Sequence, residues 1–314
     1  MAEKKIVLVT GAGSGIGRAI AEALARAGHC VYASMRSIMH HDRTRADELR
    51  RLAQRQGADL RVIELDVLSD ASCRAAVDQV VVEQGRIDVV VNNAGMLMVG
   101  ITEAFTPEQL IQVFETNAVS WLRVNRAALP AMRRQGGGVL VYISSTTARL
   151  AEPFLGPYIA SKAAGEALAE VMGFEVSRFG IETVIVVPGA FTRGTEHFRH
   201  AHPPADAGIV AQYGDLPRVA EQLGPRLQAI DDANGGALDV SAIGDAVQRA
   251  LDLPHGSRPA RIVIDSQQKG MEALNALHHA KQAAFLEQLG LHDLMTLPDA
   301  RRRAAGPSRG SGTI

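Results

Sequence analysis

The chain is predicted to fold as a single α/β domain on a doubly wound parallel sheet, with an extended lid and a C-terminal helical extension. Three features of its 314 residues carry that prediction. Seven short apolar runs alternate with stretches of helical spacing: Ile6 to Val9, Val31 to Ala33, Leu60 to Leu65, Ile87 to Val91, Val139 to Ile143, Thr183 to Val187 and Arg261 to Ile264. Valine, isoleucine and leucine dominate these runs without a polar alternation, as parallel strands covered by helices on both faces require. A glycine-rich turn, Thr10 to Gly17, follows the first run directly and opens a helical pattern from Arg18 to Ala27.

Composition narrows the class. Hydrophobic residues make up 46%, charged residues 21%, and the formal net charge is −1, which gives no nucleic-acid footprint and no disordered chain. Two cysteines, Cys30 and Cys73, exclude a disulfide scaffold and fit a reducing compartment. The run Ile6 to Val9 is far too short for a signal segment or a membrane span, so a cytoplasmic location without a membrane partner is expected. Residues 1–266 are read as the catalytic domain with a lid at 194–236. Residues 267–297 form the helical extension and 298–314, with Arg301 to Arg303 and a Gly/Ser-rich end, a flexible tail. The connection 37–48 is also longer than the βα rhythm needs.

The glycine turn has the form of a phosphate cradle. Gly11, Gly13, Gly15 and Gly17, with Ser14 and Ile16 between them, allow a tight turn and close backbone approach to a pyrophosphate. The following helix start offers N–H donors and positive partial charge. This is the Rossmann arrangement for a dinucleotide. An NAD-binding unit usually carries an acidic residue at the end of the second strand; Met35 stands there, flanked by Ser34 and Arg36. Neutral and cationic groups suit a 2′-phosphate, so NADP(H) is favoured and NAD(H) remains possible.

Tyr158-Ile-Ala-Ser-Lys162 opens a long helical pattern that runs to Gly180. Residues i and i+4 share a helix face, so the phenol and the ammonium lie together. A nearby cation favours the phenolate and would lower the ordinary phenol value of about 10, letting Tyr158 move protons near neutral pH.

The glycine turn at 10–17, Asn-Asn-Ala-Gly at 92–95, Asn117, Ser144-Ser145, the Tyr158/Lys162 pair and Pro188-Gly189 together resemble the classical short-chain dehydrogenases/reductases (SDRs), in the right order from Lys5 to Ile264. The resemblance implies Tyr158 as general acid/base, Lys162 as its activator and ribose ligand, Ser145 as the donor to the substrate oxygen, and Asn117 as the anchor of a water path from Lys162. It further implies cofactor contacts from Asp66 and Val67 at the adenine, Asn93, Ala94 and Gly95 after the fourth strand, and Pro188 and Gly189 at the nicotinamide. Where the family often has a threonine five positions after the proline, Arg193 stands between Thr192 and Thr195; Thr192 is taken as the carboxamide contact.

Met96, Leu97, Val99, Leu150, Phe154 and Phe191 are expected to line an apolar substrate pocket, so the partner is a hydrophobic ketone, aldehyde or alcohol. Glu196, His197, His200 and His202 match no rigid metal frame, and Pro203-Pro204 follow at once; they read as a polar lid with no metal. Met271 to Leu297 forms an apolar helical face that packs on a neighbouring subunit or covers the cleft; a homo-oligomer, dimer or tetramer, is expected. The resulting function is NAD(P)-dependent hydride transfer. The alternative is an idle nucleotide-sensing or interaction protein on the same scaffold.

Overall fold

The computed structural model describes residues 3–236 and 238–298. In chain order the elements are β1 (Ile6–Val9), α1 (Gly15–Arg26), β2 (Cys30–Met35), α2 (Arg43–Gln56), β3 (Leu60–Glu64), α3 (Asp70–Gln84) and β4 (Val89–Asn92). There follow α4 (Pro107–Phe114), α5 (Ser120–Gln135), β5 (Gly138–Ile143), α6 (Gly156–Ser177) and β6 (Ile181–Pro188). The remainder comprises α7 (Ala207–Gln212), α8 (Leu216–Glu221), α9 (Leu223–Ala233), α10 (Ser241–Asp252), β7 (Arg261–Ile264) and α11 (Met271–Gln288).

All seven strands are parallel, in the order β3-β2-β1-β4-β5-β6-β7. Successive strand residues face opposite sides, which divides the core in two. Val7, Val9, Val89 and Val91 pack under α1, α2 and α10, whereas Ile6, Leu8, Val90 and Leu140 pack under α3, α5 and α6. Strand order reverses between β1 and β4. In an open α/β sheet the crevice for a ligand opens at that reversal, beyond the carboxyl ends of the strands.

α1 begins at Gly15, three residues before the periodicity suggests, so the glycine turn itself supplies the helix's first, unpaired N–H groups. Between α4 and α5 the chain widens into a π-helical turn over Glu115–Val119, which contains Asn117. Such turns interrupt a regular helix and recur at functional sites.

The lid forms three short helices, α7 to α9. Its entrance is tied to the body by a parallel bridge in which the His202 N–H donates to the Leu97 carbonyl (2.9 Å) and the Val99 N–H to the His202 carbonyl (3.2 Å). The sequence pattern treats 271–297 as one helical face. The structure ends α11 at Gln288, reverses at Gly290 and closes with a short 3-10 turn over His292–Met295. Along it Met271 and Leu286 are buried, but Leu274, Leu277, Phe285 and Leu289 are exposed. The expected tail at 298–314 lies, apart from Pro298, outside the described residues. Among the described residues no helix is long and apolar enough to cross a membrane.

Candidate active site

A cavity of about 750 Å³ runs across the carboxyl ends of β1, β4, β5 and β6. Its floor at one end is the glycine turn. A side chain at Gly17 would overlap the Asn93 amide and the Gly11 carbonyl, so the two turns can meet only through glycine. Asn93 fastens them, donating Nδ2 to the Thr10 carbonyl (2.8 Å) and its N–H to Thr10 Oγ1 (2.9 Å). Gly11, Gly13, Ser14, Gly15, Ile16, Asp66, Val67, Ala94, Gly95, Pro188 and Gly189 all line the same cavity. This open, glycine-walled trough at a helix start fits a dinucleotide pyrophosphate.

At the far end of that trough two sequence expectations change. Ser34 is fully buried and donates to the Val9 carbonyl (3.0 Å) of the neighbouring strand. It therefore does not reach the cavity, whereas Met35 and Arg36 do. An acidic group is also present after all: Asp42, from the long connection, lines the cavity. Its carboxylate accepts from the Ser37 N–H (3.3 Å) and pairs with Arg45 (3.2 Å) and His41 (3.1 Å). Arg36 lines the same cavity, so two arginines stand there against the Asp42 carboxylate. His41 and Arg45 lie too far along the chain for the strand-end rule to find them.

The catalytic candidates meet on the opposite wall. Ser145 lies just beyond β5, capping a short 3-10 turn over Thr146–Ala148, and Tyr158 and Lys162 stand one turn apart on α6, whose start is set by Pro157 in the first turn. Ser145 Oγ accepts from Thr147 Oγ1 (2.9 Å) and the Thr147 N–H (3.2 Å), and hydrogen-bonds Tyr158. Ser144 is turned inward, donating to Glu166 (2.5 Å), which Arg149 (2.7 Å) and Arg261 (2.8 Å) also hold. The Lys162 ammonium donates to the Ile143 carbonyl (2.8 Å) and lies 5.9 Å from the Tyr158 ring centre. Asn117 is fixed on three sides: its Oδ1 accepts from the Met96 N–H (2.8 Å), and its Nδ2 donates to the Met96 carbonyl (2.9 Å) and Ser161 (3.0 Å).

The electrostatics depart from the sequence expectation. Burial pushes the Tyr158 phenol up to about 12; the Ser145 hydrogen bond opposes this and the Glu152 carboxylate adds to it. Burial also brings Lys162 down to about 8, with Glu166 opposing. Desolvation thus dominates at the phenol, which stays protonated near neutral pH.

The substrate side is more polar than foreseen. Met96, Leu97 and Phe191 line the cavity, joined by Leu155 and Phe198. Val99 instead packs behind Leu97, Leu155 and Tyr158, Leu150 lies on the surface, and Phe154 stands outside the lining. Thr192 is held away by Gln228 (2.5 Å) and Asp231 (3.3 Å), and Thr195 takes the cavity wall in its place. His197 from the lid meets Tyr158 edge to face, ring centres 6.0 Å apart, and burial against the body with Lys162 nearby brings it down to about 4. Glu196 pairs instead with Arg199 (2.9 Å) and His200 (3.6 Å), so the four lid groups do not converge on one point. Glu152 and Lys269 complete the wall; Lys269 lies beyond the last strand, where no sequence motif marks it.

Comparison with known proteins agrees with this fold. Residues 5–203 match the family described as short chain dehydrogenase. A 3-ketodihydrosphingosine reductase of Bacteroides thetaiotaomicron is 35% identical over 192 residues, 61% of this chain and 66% of that protein, so the match spans about two thirds of that relative. A short-chain dehydrogenase from Streptomyces avermitilis superposes with TM-score 0.71 at 31% identity, covering 92% of this chain and 98% of its own. An actinorhodin polyketide ketoreductase with NADPH gives TM-score 0.67 at 30% identity, covering 84% and 97%.

Proposed function

Because the chain belongs to the short-chain dehydrogenase family of oxidoreductases, we propose that it interconverts a hydrophobic ketone or aldehyde and the corresponding alcohol, using NADP(H) in preference to NAD(H). The observation that carries this reading is the convergence of Ser145, Tyr158 and Lys162 on the wall of the cavity into which the glycine turn opens.

The turn from Gly11 to Gly17 would hold the pyrophosphate, Asp66 and Val67 the adenine, and Arg36 with Arg45 a 2′-phosphate. When bound, the nicotinamide supplies or accepts the hydride. The chain's own residues do the rest. Ser145, already accepting from Thr147, has its own proton to donate to the substrate oxygen and so stabilises charge developing there. Tyr158, held as the acid by burial, delivers the proton in reduction. Lys162 sits where it can favour the phenolate once that proton leaves, and Asn117 keeps the π-helical turn against Met96 behind it. The lid closes over Tyr158 through His197 and excludes water.

A homo-oligomer in the cytoplasm belongs to the same reading, supported by the exposed Leu274, Leu277, Phe285 and Leu289 of α11. The test is Tyr158→Phe. Carbonyl-dependent NADPH oxidation should fall about 10²- to 10⁴-fold, the share of a positioned acid, while NADPH still quenches or enhances protein fluorescence. Undiminished turnover in the variant overturns the mechanism, and nucleotide binding without turnover of any carbonyl in the wild type favours the idle sensor.

A further inference from the structure

Glu152 and Lys269 are 117 positions apart in sequence, yet Lys269 Nζ lies 2.7 Å from Glu152 Oε1 on the wall of the catalytic cavity. Lys269 Nζ also donates to Thr146 Oγ1 at 3.1 Å, and Thr146 adjoins Ser145. The side chains are only 11% and 14% exposed. Removing two charges from water costs several kcal/mol per ion before their attraction offsets it, so such a pair is a poor choice merely to pin two loops together.

The backbone around the pair is strained. Among the described residues the only non-glycine positions with positive φ are Phe154 (69°) and Gln268 (54°), one two residues after Glu152 and the other immediately before Lys269. Left-handed backbone at a bulky residue is unfavourable and persists where surrounding structure enforces it, commonly at ligand sites. Here the enforcement is visible. The Phe154 carbonyl accepts from the Gly100 N–H (2.8 Å), the Asp265 carboxylate accepts from the Lys269 N–H (2.8 Å), and Gln267 bonds both the N–H (2.7 Å) and the carbonyl (3.0 Å) of Ala190. Gly189 makes this docking possible, since a side chain there would overlap Asp265 and Gln267. The segment after β7 is thus built onto the nicotinamide-side turn, and it delivers Lys269.

We propose that Glu152 and Lys269 form a recognition site for a hydroxyl group close to the reacting carbonyl, so that the substrate is a hydroxyketone or hydroxyaldehyde and the product a diol. This deepens the proposed function and rests on it. The pair uses one carboxylate oxygen and two of the three ammonium protons, leaving one acceptor and one donor for a molecule in the cavity. A hydroxyl satisfies both at once. A carboxylate would meet Glu152 and an ammonium would meet Lys269, and the pair, neutral overall, favours neither.

The test uses full-length protein carrying Tyr158→Phe, which holds substrate without turnover, saturated with NADP⁺. Calorimetry compares a secondary alcohol with the diol that adds one adjacent hydroxyl. The diol should bind at least about tenfold more tightly, the worth of one well-made hydrogen bond to a charged group. In Glu152→Gln/Lys269→Met, which keeps the charge balance, the ratio should fall to about one; Glu152→Gln alone should lower it part of the way and serves if the double variant fails to fold. A purely structural pair would lower thermal stability and leave the ratio as it was. Nucleotide binding with an unchanged ratio, or with no preference in the parent, overturns this inference and leaves the oxidoreductase reading standing. Absence of NADP⁺ binding removes both.

Discussion

On the proposed reading, the nucleotide half of the cleft is drawn mostly from short, contiguous segments at the ends of β1, β2, β3 and β4, with Arg45 added from the long connection after β2. The substrate half is assembled from the loop after β5, the lid and the turn after β7, which contribute Glu152, His197 and Lys269 from positions with no common pattern. The first half is governed by backbone geometry, where a glycine is required because another chain segment passes within contact distance. The second is governed by side-chain chemistry on loops that the rigid sheet positions. Binding of the nucleotide should accordingly fail through steric change, and choice of substrate through charge or hydrogen bonding.

Gly17→Val should break the comparison most severely. Its side chain would overlap the Asn93 amide and the Gly11 carbonyl, and core overpacking alone costs about 1–3 kcal/mol. NADPH titration should show at least about a hundredfold weaker binding, with circular dichroism reporting whether the sheet survives; retained affinity would mean that the turn adapts and the nucleotide half is not geometry-limited.

The pH dependence separates the two directions of reaction. Tyr158 sits up at about 12, so the proton donor for reduction is in place throughout pH 6–9, and that rate should change in this window only through the cofactor and Lys162, which is brought down to about 8. Oxidation needs the phenolate, whose fraction grows about tenfold per pH unit below the pKa, so log rate should climb with a slope near one to about pH 10. Steady-state profiles in both directions check this. An oxidation plateau below pH 8 would show that bound nucleotide, with Lys162, overcomes the burial that raises the phenol here.

Arg36→Ala and Arg45→Ala sharpen the nucleotide half at lower cost. Each should weaken NADPH about tenfold, the loss of one charged hydrogen bond to phosphate, and leave NADH within about twofold. Arg45→Ala also removes one of the partners of Asp42, adding repulsion of the 2′-phosphate, so it should be the more damaging. Equal loss for both nucleotides would place these arginines at the adenine face.

The strands, the glycine turn and the pairing of Tyr158 with Lys162 were legible because each depends on a local rule: apolar runs, a turn that only glycine can make, or an i,i+4 helix face; Ser145 came only from the family resemblance. Ser34 was misplaced because its hydroxyl is taken up by the Val9 carbonyl of the neighbouring strand, a pairing that only the sheet order reveals. Thr192 and Thr195 could not be separated, because the direction of each depends on where α9 brings Gln228 and Asp231. The phenol's shift was misjudged for a related reason: sequence spacing reveals the nearby lysine but not how fully both groups are buried.

The sequence by itself determined the doubly wound sheet, the glycine turn after β1 and the family, since periodicity and short motifs specify backbone geometry over a few residues. Only the tertiary structure decided that Asp42 and Arg45 join Arg36, that His197 covers Tyr158 and that Lys269 meets Glu152. Those contacts join positions up to 117 residues apart, and what brings them together is the packing of seven strands and the turns docked at their ends.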